Sequence, residues 1–130
     1  MSVGLLIVSH GRLGAVLFDT VRGILGEVPL ATELIEIPPH CDPDEFARQA
    51  REAIARVDSG DGVLVLTDMY GSTPSNIACQ HGGDRVAVVA GMNLPMLIRV
   101  MNYPEATLPE LTEKALSGGR EGVILCRGRS

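Results

Sequence analysis

Residues 3–11 read VGLLIVSHG, and this stretch decides the fold. Val3 to Val8 form an unbroken apolar run, too short for an amphipathic helix and with no face left for water. Such a run reads as a strand buried on both sides, the kind found in parallel sheets covered by helices. Ser9-His10-Gly11 ends it with small and polar residues.

The flanking residues extend the same pattern. Leu13, Val16, Leu17, Val21, Ile24 and Leu25 recur at helical spacing, and Gly26 fits a helix C-terminal cap. Gly14 and Gly23 weaken that helix. Thr32 to Ile37 alternates polar and apolar, as a strand nearer an edge does, and Pro38-Pro39 stops it. Asp42-Pro43-Asp44-Glu45 is a helix start, and Phe46, Ala50, Ala53, Ile54 and Val57 mark its apolar face. Val63 to Thr67 is a second buried strand, leading into Asp68-Met69-Tyr70-Gly71-Ser72-Thr73-Pro74. Thr73 is predicted to cap a short helix running from Ser75 to about Gln80. Arg85 to Ala90 is a further strand, closed by Gly91-Met92-Asn93. Leu94 to Met101 and Pro109 to Leu116 are helical in pattern, with Gly118-Gly119 breaking the second. Val123 to Cys126 reads as a last short strand.

Strands and helices thus alternate along the chain. That order implies an α/β fold: an open, mostly parallel sheet with helices on both faces. The 130 residues suit one domain, residues 1–130, without repeat, low-complexity segment or linker.

Composition narrows the function classes. Hydrophobic residues make up 45% and charged residues 21%, enough for a core and against disorder. Aromatics are 3% and Trp is absent, so stacked-aromatic nucleic-acid platforms are disfavoured. The formal net charge of −5 removes a basic footprint for DNA or RNA. Arg120, Arg127 and Arg129 form a small cluster that reads as a solvated tail. Cys41, Cys79 and Cys126 are odd in number and far apart, against a disulfide framework or a zinc knuckle. Cys79 and Cys126 are expected to be small buried hydrophobes. No basic leader precedes the first apolar run, and no run reaches the roughly 18 residues of a membrane span. A cytoplasmic protein with no direct membrane insertion is expected.

In open α/β sheets ligands bind beyond the carboxyl ends of the strands. Three strand ends carry chemistry: Ser9-His10-Gly11, Asp68 to Pro74, and Gly91-Met92-Asn93. If the first and third strands are neighbours, His10 and Asp68 meet at the switch point of the sheet. A neutral imidazole nitrogen is a nucleophile toward phosphorus, and a carboxylate on the other nitrogen fixes the tautomer. The Gly71-Ser72-Thr73 loop leads into a helix N-terminus whose N–H groups can receive phosphate oxygens. Each residue has a plainer reading. His10 could be a polar loop residue, Asp68 an Asx-turn former, and Ser72-Thr73-Pro74 only a helix cap. His40 reads as surface packing, His81 as a cationic helix C-cap, and Met92, Met96 and Met101 as core filling.

Four motifs in register resemble a known family: the strand-Ser9-His10-Gly11 opening; Asp68-x-x-Gly71-Ser72-Thr73-Pro74-x-Asn76; Gly91-Met92-Asn93-Leu94-Pro95-Met96-Leu97; and Gly119-Arg120-Glu121-Gly122-Val123. The chain is similar to the EIIA component of the mannose-type (mannose/fructose/sorbose) phosphoenolpyruvate-dependent sugar phosphotransferase system. The resemblance implies that His10 accepts a phosphoryl group from the phosphocarrier HPr and passes it to an EIIB partner. It implies that Asp68 orients His10, and that Gly71, Ser72 and Thr73 contact the phosphate. It further implies four parallel strands plus a short antiparallel one, Val123 to Cys126, that can be exchanged between subunits of a homodimer. No cofactor and no metal are implied. Two positions depart from the family pattern: Ser72 stands where a second glycine is usual, and Arg12 stands where an aromatic often follows His-Gly. No fused EIIB or Ala-Pro linker is expected after the EIIA unit, so the downstream acceptor is a separate chain or a regulated target.

Rival readings make different demands. A phosphodonor module for dihydroxyacetone kinase would share fold and motif. A small tetrapyrrole cobalt chelatase shares the Ser-His-Gly opening but needs a second metal-facing His, where this chain has Asp68 and a Ser-Thr-Pro loop. A serine hydrolase lacks its G-x-S-x-G elbow, and Ser9 and His10 are adjacent on a strand, where side chains diverge. A purely structural or binding module would tolerate loss of His10.

Overall fold

A computed structural model describes residues 2–128. Its elements in chain order are β1 (Gly4–His10), α1 (Leu13–Leu25), β2 (Thr32–Ile37), α2 (Pro43–Val57), β3 (Val63–Thr67), α3 (Thr73–Cys79), β4 (Val86–Ala90), α4 (Leu94–Met101) and α5 (Leu108–Glu121). The strands form one parallel sheet in the order β2-β1-β3-β4. β1 and β3 are therefore neighbours, with Val8 level with Thr67. The chain leaves β1 toward one edge and crosses to the other side of it at β3, which places the switch point between those two strands.

Alternation along the strands sorts the core into two layers. Leu5, Ile7, Leu64 and Leu66 pack with Phe18 and Val21 of α1, Met96, Leu97, Val100 and Met101 of α4, and Leu111 and Ala115 of α5. Leu6, Val8, Val63 and Val65 pack against Ala47, Ala50, Ala53 and Val57 of α2 and Ile77 and Ala78 of α3. Helices thus cover both faces, and both central strands are apolar up to their carboxyl ends, Leu5 to Val8 and Val63 to Leu66, as a sheet without a wet face requires. The alanine face of α2 lets it lie close to the sheet. β2, on an edge, turns Leu34 and Glu36 toward water while Ile35 and Ile37 are buried and the half-buried Glu33 pairs with Arg56 of α2.

Local capping explains most boundaries. Asp42 accepts a hydrogen bond from the Asp44 N–H with Pro43 in the first turn of α2. Asn93 Oδ1 does the same for Met96 at α4. Thr107 and Glu110 form a reciprocal capping box at α5, a Thr-x-x-Glu signature that periodicity alone passes over. Gly26 ends α1 with φ +84°, a conformation that favours glycine.

Three expectations need correction. α3 begins at Thr73, not Ser75, and Ser72 rather than Thr73 occupies the cap position. Gly118-Gly119 does not break α5, which runs on to Glu121. These glycines lie where α5 crosses α4: a Cβ on Gly118 would come 2.7 Å from Arg99 Cβ, and one on Gly119 2.7 Å from Met96 Cε. Close helix contact, not a break, requires them. Val123 to Cys126 form no strand. Residues 123–128 lie outside any helix or strand, and Val123, Ile124 and Leu125 are exposed. A strand needs a hydrogen-bonding partner, and this segment meets none among the described residues.

Candidate functional site

The site is built where β1 outruns β3. Along its β2 side β1 stays paired to the end, His10 level with Ile37, and the Gly11 N–H donates to the Ile37 carbonyl at 2.9 Å. On the β3 side strand pairing stops at Thr67. There the His10 N–H donates to Asp68 Oδ2 at 2.8 Å, so a carboxylate takes the place of the next backbone carbonyl. The same oxygen lies 2.8 Å from His10 Nδ1, and Oδ1 accepts the Met69 N–H at 2.9 Å. The topology rule that predicted a His10–Asp68 meeting is thus met by direct contact.

The two side chains differ sharply in exposure: 53% for His10 and 6% for Asp68. Burial alone would push the Asp68 carboxyl up. The hydrogen bonds from the His10 N–H, the His10 ring and the Met69 N–H outweigh it, and the pKa is lowered. Asp68 is therefore ionised near neutrality and can only accept. Its contact with Nδ1 requires the proton on Nδ1, so in the neutral ring the lone pair is on Nε2.

The backbone that presents His10 is held from below. Ser9 is buried, and its hydroxyl accepts the Gly14 N–H at 2.8 Å. That bond fixes the start of α1, whose cap residue Arg12 supplies no side-chain cap. A Cβ on Gly14 would lie 2.5 Å from Ile7 Cγ2 and 2.9 Å from Ser9 Oγ, so glycine is required for this approach. A Ser just ahead of a helix without a better cap is a readable sequence signal for such a support.

Gly71, Ser72 and Thr73 follow Asp68 on the same loop. Gly71 has φ +84° and turns the chain. The Ser72 hydroxyl and N–H both donate to the Met69 carbonyl, at 2.5 Å and 3.2 Å. Ser72 thus stands at the head of α3 without capping it by its side chain. Arg12 is 70% exposed and makes a loose ion pair with Glu36 at 3.6 Å.

Other side chains fall away from this site. Asn93 is structural: besides capping α4, its Nδ2 donates to the Gly119 carbonyl at 3.0 Å and bolts α4 to α5. His40 is exposed, as anticipated, and Met92, Met96 and Met101 are buried. His81 is not a cationic cap. Burial lowers its pKa, Arg51 adds to this, and a hydrogen bond with the Ala47 backbone opposes it. Cys79 and Cys126 are exposed, contrary to expectation, because α3 turns Cys79 outward and Cys126 lies in the unpaired segment. Arg120 and Arg127 are exposed; Arg129 lies outside the described residues. Among the described residues, no three His, Cys, Asp or Glu side chains gather as a metal site. No helix among them is long and apolar enough to cross a membrane.

A family model described as "PTS system fructose IIA component" matches residues 4–116. The chain belongs to that family. This phosphotransferase-system IIA chain is 30% identical over 127 residues to the PTS system mannose-specific EIIAB component of Escherichia coli (strain K12), across 95% of its own length. It spans 39% of that relative. Among solved structures, the mannose/sorbose specific IIA subunit of the phosphotransferase system from Enterococcus faecalis superposes with a TM-score of 0.88. That pair is 26% identical, covering 100% of this chain and 98% of the other. A PTS IIA protein associated with the fucose utilization operon of Streptococcus pneumoniae shares the fold, with a TM-score of 0.81, 23% identity and 96% coverage of each chain. The resemblance read from four motifs is thereby borne out at the level of family and fold.

Proposed function

We propose that this IIA chain is a cytoplasmic phosphoryl carrier, residues 1–130 acting as one EIIA unit. It takes a phosphoryl group from phosphohistidine of HPr onto His10 Nε2 and yields it to an EIIB acceptor or a regulated protein. The observation that carries this reading is the exposed His10 ring whose Nδ1 is held at 2.8 Å by a buried carboxylate, Asp68. Nε2 attacks phosphorus with its lone pair, an N–P bond forms at Nε2, and the N–P bond to the donor imidazole breaks. The Nδ1 proton stays in its hydrogen bond to Asp68. That carboxylate stabilises the positive charge that grows on the ring as it attacks. Transfer onward is the same step in reverse with a new partner.

Gly71, Ser72 and Thr73 are the proposed phosphate contacts. Ser72 would turn its hydroxyl from the Met69 carbonyl, and the first turn of α3, without a side-chain cap, would add the Thr73 and Ser75 N–H groups. The chemistry calls for no metal and no organic cofactor. A homodimer is proposed from the exposed Val123-Ile124-Leu125 segment, whose apolar side chains gain a partner in a second copy. A monomeric mass in sedimentation equilibrium would remove that part.

The carrier reading is tested by incubating the chain with enzyme I, HPr and labelled phosphoenolpyruvate. An acid-labile, alkali-stable adduct is expected on wild type and none on His10→Ala. Equal labelling of the variant would overturn it.

A further inference from the structure

Thr67 is the last residue of β3 and directly precedes Asp68. It is fully buried, and its Oγ1 has no hydrogen-bond partner among the described residues. The pleat defines its face: Val63 and Val65 lie in the layer under α2 and α3 with Ile77 and Ala78, and Thr67 continues that row. Its backbone is tied, with its carbonyl accepting the Met92 N–H at 3.0 Å. A buried hydroxyl without a partner has lost its water and gained nothing in return. The strand before it is Val63-Leu64-Val65-Leu66, so another aliphatic residue would have fitted the pattern at no such cost.

We infer that Thr67 is a positioning residue of the loaded site, whose hydroxyl pairs with the β3–α3 loop when His10 carries a phosphoryl group. This rests on the phosphohistidine reading above. Met69, Tyr70 and Gly71 of the loop are exposed, and the Met69 carbonyl receives both donors of Ser72. A phosphoryl dianion at His10 competes for those donors, because charge-assisted hydrogen bonds are the stronger ones. Turning Ser72 toward phosphate leaves the Met69 carbonyl short of a donor. The Thr67 O–H, two residues back in the chain and committed to no other group, supplies one. Thr67 does not touch the phosphoryl group; it acts by holding the loop in its loaded arrangement.

The test compares wild type, Thr67→Val and Thr67→Ser, each as the full chain loaded through enzyme I and HPr. Two quantities are read: the loaded fraction at equilibrium with phospho-HPr, and the urea unfolding midpoint of the unloaded protein. Val is expected to lower the loaded-to-unloaded ratio by roughly two- to tenfold, the equivalent of one net hydrogen bond. It should leave the unloaded midpoint equal or higher, and Ser should restore the ratio. A lower unloaded midpoint in Val would mean the hydroxyl is already satisfied in the free state, and would overturn the inference. So would an unchanged ratio in a wild type and variant that both load. A wild type that takes no label removes the carrier reading itself, and this inference with it.

Discussion

At the start of β1 the Gly4 N–H donates to the Gly62 carbonyl at 3.0 Å and the Leu5 N–H to the Ala31 carbonyl at 2.9 Å. At the other end of the same strand the His10 N–H meets a carboxylate instead, and the ring beyond it stands in water. The first end is all packing. A Cβ on Gly4 would lie 2.2 Å from the Val57 carbonyl oxygen, so nothing larger than hydrogen fits. A cavity of about 640 Å³ also lies apart from His10, where α4 passes to α5 beside Tyr103, Glu105, Glu110 and Lys114. Leu108, which opens α5 there, approaches Gly62 at the head of β3. A smaller hollow of about 300 Å³ lies beyond the carboxyl end of β4 beside Gly91, Asn93 and Met96, and neither hollow is lined by His10 or Asp68. In the proposed carrier role a group handed over by another protein needs an accessible acceptor atom, and the His10 side chain is 53% exposed. The place where side chains replace the backbone ladder thus marks this site better than the 640 Å³ cavity does.

The contrast breaks most visibly at Asp68. Asp68→Asn should slow phosphoryl transfer by roughly 10–100-fold, the scale seen when a metal-ligating imidazole loses the group that orients it, with the circular dichroism spectrum unchanged. An unaltered single-turnover rate would mean the carboxylate only closes a turn. The same variant should flatten the acid limb of stability. A carboxylate with a lowered folded pKa contributes stability above its unfolded value near ~3.9, and that contribution is lost as pH falls through the folded pKa. Urea titrations between neutral pH and strong acid measure it.

At the opposite end the effect should fall on folding and not on chemistry. Gly4→Ala forces a methyl against the Val57 carbonyl and is expected to cost about 1–3 kcal/mol of stability, the usual scale of overpacking. Transfer per folded molecule should match wild type; a slowed rate in fully folded protein would show that the two ends are coupled. The smallest effect belongs to the large cavity. Tyr103→Ala removes the ring under the Lys114 ammonium, 4.3 Å from its centroid. It should change transfer by less than about twofold, since an exposed cation–π contact is worth only about 0.5–1 kcal/mol and acts far from His10. A large loss of transfer would return that cavity to consideration as a functional site.

Strand and helix order was legible because Val3 to Val8 and Val63 to Leu66 are unbroken apolar runs and the helices repeat with their own period. The His10–Asp68 meeting was legible too, from topology: alternation implies a parallel sheet, and such sheets place reactive residues where strand order reverses. What escaped was whatever depends on a neighbour distant in sequence. Gly118 and Gly119 read as helix breakers until Arg99 and Met96 are seen against them. Ser9 reads as a strand end until its hydroxyl is seen holding Gly14. Val123 to Cys126 has the composition of a strand, but composition cannot supply the partner that a strand requires. The Ser72 hydroxyl is committed to the Met69 carbonyl by a local turn, a choice that cap preferences leave open between Ser72 and Thr73.

The central claim is that Asp68 holds the proton on Nδ1 and so leaves Nε2 of His10 as the acceptor. Nitrogen-15 NMR of the phosphorylated chain, with histidine labelled at both ring nitrogens, reads this directly. The account predicts phosphorus coupling to Nε2 of His10 and a protonated, hydrogen-bonded Nδ1 on the same ring. Phosphorus on Nδ1, or on His40 or His81 with His10 unmodified, would contradict it.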